Sequence, residues 1–352
     1  MKTLIVPMAG RSSRYPGLRP KWMLSHPMSN TFMGIAAILG LNLDFFDKIY
    51  FVALQEHQNK YQFRQGFLEE LATFNLLEKS EVFLLDKETQ SQSETVCKVI
   101  ELKGIEGFIF IKDSDGYYEC NILDEVNQVA YFDLNDMDDI NARSKSYVEL
   151  DINGVLTNIV EKKVITSTFS TGGYGFASAF EFVQAYNKII DYDWECYVSH
   201  IIFEMMLSGT KFVGLKTSNF KDWGTIDAWN KYKSQYKCLF VDIDGTLVTN
   251  SSCHFPPYIG DGVPLSENIE LLQKLHSSGK VKIVLTTSRP KRYEEVTLKE
   301  LGEKNIPFDV LIMGLPHSQR VVINDFAKSN PYPSCSAINI PRDQNILKEF
   351  LS

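Results

Sequence analysis

The chain is 352 residues long, 44% apolar and 23% charged; these are ordinary globular values, and the length favours two domains with a core each. A formal net charge of -8 and the lack of any basic run speak against a protein that grips nucleic acid through its phosphates, while local cations can still hold a small anion. No run of about 18 apolar residues occurs and the apolar start is too short for a signal peptide, so no membrane partner and a cytoplasmic location are expected.

Apolar runs of strand length alternate with helix-length amphipathic stretches: strand 3–8, helix 32–41, strand 48–53, helix 58–74, strand 82–85. This is the rhythm of a parallel sheet covered by helices. Strands at 107–112, 128–133, 146–150 and 155–162 follow, then helices at 179–188 and 197–207 and a strand at 212–217. A charged, tyrosine-rich helix at 226–236 runs into a new strand, which places a boundary between domains 1–235 and 236–352. The second domain repeats the rhythm with strands 238–242, 282–287, 309–313 and 321–325 and helices 266–278 and 291–304. The six cysteines are scattered without a Cys-x-x-Cys pair, so a zinc site is not expected and reduced thiols are.

The loop after the first strand, Ala9-Gly10-Arg11-Ser12-Ser13-Arg14, is built of small residues that let backbone N–H groups approach a phosphate. Arg14 and Lys21 add mobile cations that follow charge onto a leaving pyrophosphate. It is not a Walker loop, since no Gly-Lys-Ser/Thr is present. With Pro20-Lys21 it resembles the Ala-Gly-x-x-Ser-Arg…Pro-Lys signature of the sugar-phosphate nucleotidylyltransferases, the pyrophosphorylases that make nucleotide sugars. Four later fragments and an Asp-x-Gly-Thr resemble the same family in order. Gln92-Ser93-Glu94-Thr95 resembles the helix start beside the base, and Lys112-Asp113-Ser114-Asp115 the strand end with a metal-binding acid. Glu161-Lys162 resembles the pair at the sugar phosphate, Gly172-Gly173-Tyr174 the glycine strand beside the sugar, and Asp222-Trp223-Gly224-Thr225 the turn with a second metal-binding acid.

That resemblance implies that Ala9, Gly10, Ser13, Gln92, Glu94, Thr95, Glu161, Lys162 and Gly173 bind the NTP and the sugar phosphate, with Arg14 and Lys21 as catalytic cations. It implies Mg2+ on Asp222 with Asp113 or Asp115, a chemically sufficient set because Mg2+ is completed by phosphate oxygens. Two places depart from the pattern: Arg11-Ser12 stand where a glycine is common, and Trp22-Met23-Leu24 follow Lys21 where Pro-Leu-Leu is usual.

The strand at 238–242 delivers Asp242 and Asp244 at its carboxyl end, followed by Gly245. Alternate residues share a side and glycine permits the turn, so both carboxylates converge on one site. Asp242-Ile243-Asp244-Gly245-Thr246 resembles the Asp-x-Asp-Gly-Thr signature of the haloacid dehalogenase-like (HAD) phosphohydrolases. By that resemblance Asp242 is the nucleophile that becomes an aspartyl phosphate, Asp244 the general acid and base, and Thr287 the hydroxyl on the phosphoryl oxygens. Mg2+ would sit between Asp242, Asp325 and the Asp244 carbonyl. The family's phosphate-binding lysine has no clear counterpart; Arg320 is nearest, with Lys291 the alternative. Too few residues lie between Asp244, Thr287 and Asp325 for an inserted cap domain.

The two resemblances together imply an α/β protein of two Rossmann-like domains, a GT-A-like mixed sheet followed by a smaller HAD-like parallel sheet without a cap. The implied function is bifunctional and serves nucleotide-sugar supply for capsule or another surface glycan. One activity is Mg2+-dependent nucleotidyl transfer from an NTP, with CTP favoured, to a sugar or polyol phosphate; the other is phosphomonoester hydrolysis. A homo-oligomer is compatible with this reading. The rivals are a chain with one active domain and one regulatory or oligomerising domain, and a non-catalytic nucleotide sensor.

Overall fold

The computed structural model describes residues 1–10, 17–137, 145–190, 196–325 and 333–351, and the chain divides into two compact units, Met1–Trp229 and Asn230–Ser352. The strands of the first unit are β1 (Thr3–Pro7), β2 (Lys48–Leu54), β3 (Ser80–Leu85), β4 (Ile109–Lys112), β5 (Gly116–Glu119), β6 (Gln128–Asp133), β7 (Ser146–Leu150), β8 (Leu156–Glu161), β9 (Thr168–Phe176), β10 (Val213–Lys216) and β11 (Ser218–Asp222). Nine of them form one sheet in the order β10-β6-β9-β4-β1-β2-β3, with β7 added on β9 and β8 on β7, while β5 and β11 pair separately. The sheet is mixed: β1 runs parallel to β2 and β4, whereas β9 lies antiparallel between β4 and β6.

Both faces of this sheet are covered, which explains its near-continuous apolar strands. Leu4 and Val6 enter one core with Phe51, Phe67, Phe110 and Trp22. Ile5, on the opposite side, enters the other with Val52, Ile111, Val96 and Ile202. Trp22 is 1% exposed and meets Phe63 edge-on at a centroid distance of 4.8 Å. Trp22 and Met23, both buried, thus anchor in the core the segment that carries Lys21.

Two expected helices are altered. The stretch 32–41 keeps only Met33–Ala36 as α-helix, because the chain then presses onto the 118 backbone: a Cβ at Gly40 would lie 2.1 Å from the Tyr118 carbonyl oxygen. The stretch 58–74 is two helices, Gln55–Tyr61 and Arg64–Thr73. Gln62 takes a left-handed φ of 49°, and the Gln58 side chain accepts from Arg64 N at 3.0 Å to start the second.

The second unit contains β12 (Lys237–Asp242), β13 (Val281–Thr286) and β14 (Val310–Ile312), all parallel in the order β12-β13-β14. Val241, Ile243, Ile283, Leu285, Leu272 and Leu301 form its core, with helices Ser266–Ser277 and Glu294–Glu303. The strand expected at 321–325 does not form. Val321, Val322 and Ile323 are 71%, 63% and 92% exposed, and strand-favouring residues make no strand without a ladder partner.

Candidate active site

A cleft of about 1050 Å³ in the first unit is lined by Pro7–Gly10, Gln92, Asp113, Asp115, Lys145, Glu161, Lys162, Gly172 and Asp222, among others. It lies beyond the carboxyl ends of β1 and β4, where open parallel sheets bind ligands. On one side stands the helix Gln92–Lys103, whose cap Ser91 accepts from Glu94 N at 3.1 Å. Ser91, Gln92 and Thr95 of this helix start line the cleft, and a helix N-terminus is a favourable setting for anions.

Three aspartates, Asp113, Asp115 and Asp222, line the cleft. Asp113 N donates to Gly172 O at 2.8 Å, and the Gln92 amide donates to Asp113 Oδ1. Burial, reinforced by the neighbouring Asp115 carboxylate, raises the Asp113 pKa to about 6. Asp115 pairs with Lys21, and its carbonyl accepts from Trp223 N at 2.9 Å. Asp222 accepts from Gly224 N at 2.8 Å, which folds the Asp222-Trp223-Gly224 turn back on its own side chain, and pairs with Lys145 at 2.7 Å.

Lys112 holds this turn from beneath. It is fully buried, its Nζ donates to Asp113 O at 2.8 Å and Gly116 O at 2.7 Å, and it lies 4.5 Å from the Tyr118 ring centroid. Burial lowers its pKa to about 8. A positive group so placed fixes the loop that carries both acids.

At the other end of the cleft, Ser146 and Ser199 both donate to Glu161 Oε2, at 2.5 and 2.8 Å. Lys162 has a left-handed φ of 54°; its ammonium meets the Tyr197 hydroxyl and lies 4.2 Å from that ring's centroid.

The structure therefore brings Ala9, Gly10, Lys21, Gln92, Thr95, Asp113, Asp115, Glu161, Lys162 and Asp222 to one cleft. Arg14 and Ser13 lie outside the described residues. Glu94 is corrected: it does not line the cleft, and its carboxylate accepts from Gln90 N at 2.6 Å and pairs with Lys98 at 2.6 Å. Gly173 is corrected to its neighbour. Gly172 lines the cleft, while Gly173 gives way to Tyr118, whose hydroxyl would lie 1.9 Å from a Cβ there. Lys145, Ser146 and Ser199 were missed; Ser146 and Ser199 converge on Glu161 from separate elements, and nothing in local spacing announces that.

Among the described residues no three His, Cys, Asp or Glu side chains form a metal cage. Asp113, Asp115 and Asp222 nevertheless offer hard oxygen donors in one cleft. Mg2+, which takes one or two carboxylates and completes its shell with water and phosphate oxygens, fits this set.

In the second unit Asp242 ends β12 and Asp244 lies two residues beyond it. Asp242 pairs with Arg320 at 2.9 Å, and burial raises its pKa against that pairing. Asp244 is gripped by Arg289, with Nε on Oδ2 at 2.9 Å and an Nη on Oδ1 at 2.8 Å, and it accepts from Ser251 at 2.6 Å and Thr287 at 3.3 Å. Arg289, 2% exposed, also reaches Glu300 at 2.6 Å. Asp325 is corrected: it lies exposed outside any strand and forms no group with Asp242 and Asp244. The Mg2+ set implied for this unit, Asp242, Asp325 and the Asp244 carbonyl, calls for Asp325 at a strand end, and Asp325 is not on a strand.

No protein-family model matches the sequence, and no curated protein matches it. Solved structures do. The nucleoside-diphosphate-sugar pyrophosphorylase from Vibrio cholerae RC9 is similar at a TM-score of 0.52 and 19% identity, over 66% of this chain and 99% of that one. The inositol-1-phosphate CTP transferase from T. maritima is similar at 0.52 and 10%, over 66% and 94%. An apo UDP-glucose pyrophosphorylase is similar at 0.50 and 12%, over 66% and 97%. The chain thus contains a nucleotidyltransferase-like fold, with the large mixed sheet of the first unit as its frame. The particular fold neighbours are nucleotide-sugar pyrophosphorylases and sugar-phosphate nucleotidyltransferases.

Proposed function

We propose that the first unit transfers a nucleotidyl group from an NTP to a sugar or polyol phosphate. The observation that carries this is the convergence, in one cleft, of Lys21, three carboxylates and the Glu161-Lys162 pair. An oxygen of the acceptor's phosphate attacks the α-phosphorus, the bond to the β-phosphate oxygen breaks, and pyrophosphate leaves. Lys21 follows the charge onto the leaving group, and the Pro7–Gly10 backbone lies against the triphosphate. Glu161, oriented by Ser146 and Ser199, accepts from acceptor hydroxyls, and Lys162 binds the acceptor's phosphate. Mg2+ on Asp222 with Asp113 or Asp115, when bound, supplies electrostatic stabilisation at the α-phosphate.

CTP is the nucleotide to try first, given the inositol-1-phosphate CTP transferase among the fold neighbours. The test is pyrophosphate release from CTP, UTP, dTTP and GTP against a panel of sugar and polyol phosphates. Release with at least one pair, abolished by Asp222→Asn, is expected. Binding without release from any pair would replace an enzyme by a nucleotide sensor.

The second unit is proposed to hydrolyse a phosphomonoester through Asp242. The supporting observation is that Asp242, Asp244 and Thr287 meet at the ends of β12 and β13, with Arg320 on Asp242. A shared substrate would make the two reactions consecutive steps in a cytoplasmic supply of nucleotide sugar for a surface glycan. Loss of phosphate release in Asp242→Asn tests the nucleophile.

A further inference from the structure

Lys145 is a cation in the cleft that the reaction above does not employ. It precedes β7, its side chain is 16% exposed, and its Nζ lies 2.7 Å from Asp222 Oδ2 and 5.2 Å from the Phe220 ring centroid. The other oxygen of Asp222 accepts from Gly224 N, so Lys145 holds the remaining face of this carboxylate. Its own carbonyl accepts from Lys162 N at 3.0 Å, and the next residue, Ser146, donates to Glu161. Lys145 therefore stands where the acidic end of the cleft meets the Glu161-Lys162 end.

An ammonium and a divalent cation compete for the same carboxylate oxygen. The lysine carries three donors on a flexible four-carbon stem, so its head can leave Asp222 without moving the strand. Lys162 lines the same cleft, and two lysines suit a phosphomonoester dianion better than one.

We propose that Lys145 is an acceptor-binding residue: it occupies Asp222 until a divalent cation takes that carboxylate, and its ammonium then moves onto the acceptor's phosphate beside Lys162. The inference rests on the nucleotidyl-transfer reading. It makes metal and phosphate binding mutually reinforcing, because each removes an obstacle to the other.

The experiment measures Mn2+ binding to the full-length chain by electron paramagnetic resonance, with and without inorganic phosphate, after subtracting Mn2+–phosphate complexes. Phosphate is expected to tighten Mn2+ binding several-fold in the wild type. In Lys145→Met, Mn2+ alone binds about tenfold tighter, and the phosphate effect disappears; in Lys145→Arg the phosphate effect persists. A merely structural ion pair also gives tighter Mn2+ binding when its lysine is removed, but it gives no phosphate coupling. Coupling that survives in Lys145→Met, or none in the wild type, overturns the proposal. Should the binding results come out as expected while the wild type releases no pyrophosphate with any NTP and acceptor, the transfer reading falls and the role of Lys145 as a metal-linked phosphate cation stands.

Discussion

A Cβ at Gly172 would lie 2.3 Å from Asp113 Oδ2, and Gly172 itself has a φ of +80°. Two constraints thus meet at one residue: a backbone conformation that costs an L side chain about 1 kcal/mol or more, and a carboxylate with nowhere to retreat. Gly172→Ala is expected to lower unfolding stability by roughly 1–3 kcal/mol and to abolish pyrophosphate release by displacing Asp113. Gly10→Ala serves as the comparison, because a Cβ there meets nothing within 4 Å and stability should be unchanged. Denaturant unfolding of both variants decides; equal stability of Gly172→Ala and wild type would show that the Asp113 turn is not held by this contact.

The buried Lys112 makes stability depend on alkaline pH in a defined direction. Its folded pKa of about 8 lies below the ordinary 10.5, so between those values the unfolded chain holds the proton and the folded chain does not. Folding is then favoured increasingly as pH rises through that window. Wild type is expected to gain stability relative to Lys112→Met from about pH 8 to about pH 10.5. Lys112→Met should also lower nucleotidyl transfer, since Asp113 O and Gly116 O lose their common donor. A pH-independent difference between the two proteins would mean that Lys112 stays charged in the folded state.

How far the sequence could be read depended on whether the interaction was local. Asp222 and Gly224 are legible because the aspartate closes a turn on its own neighbours. Ala9 and Gly10 follow directly from the strand that precedes them. Glu94 was read as a ligand although Ser91-x-x-Glu94 is also a helix-start pattern, and the capping role is the one the side chains adopt. Lys145 was invisible because its partner Asp222 comes from a distant strand, and a lysine before a strand reads as surface. Val321-Val322-Ile323 misled in the opposite way: β propensity is a matter of packing against neighbours, and here no neighbouring strand receives it.

Arg289 bonds to Asp244, Thr297, Glu300 and Ser251. Its removal leaves Asp244 and Glu300 without their shared cation; Glu300 is 1% exposed and retains Lys304 at 3.0 Å. Breaking a buried pair in this way typically costs about 3–5 kcal/mol. Arg289→Met should therefore lose stability on that scale in denaturant unfolding. Arg289→Lys should rescue little of it, because a point charge cannot reproduce the two-pronged contact with Asp244. Full rescue by lysine would reduce the role of Arg289 to charge alone.

Asp242 provides the sharpest test of the second unit, since two opposed influences set its ionisation. Burial holds its pKa above the usual carboxylate range, and Arg320, 2.9 Å away, draws it back down. A nucleophilic carboxylate must be ionised, so the acidic limb of kcat/KM for phosphate release follows this group. Arg320→Met removes the lowering influence, and the limb should move to higher pH, with activity lost more severely at pH 5 than at pH 8. Because Arg320 also stands where a phosphate-binding cation is needed, KM should rise at every pH, a separable effect that leaves the position of the limb unchanged if acting alone. An unmoved limb with a raised KM would assign Arg320 to the phosphate only, and phosphate release that survives Asp242→Asn would remove Asp242 from the chemistry altogether.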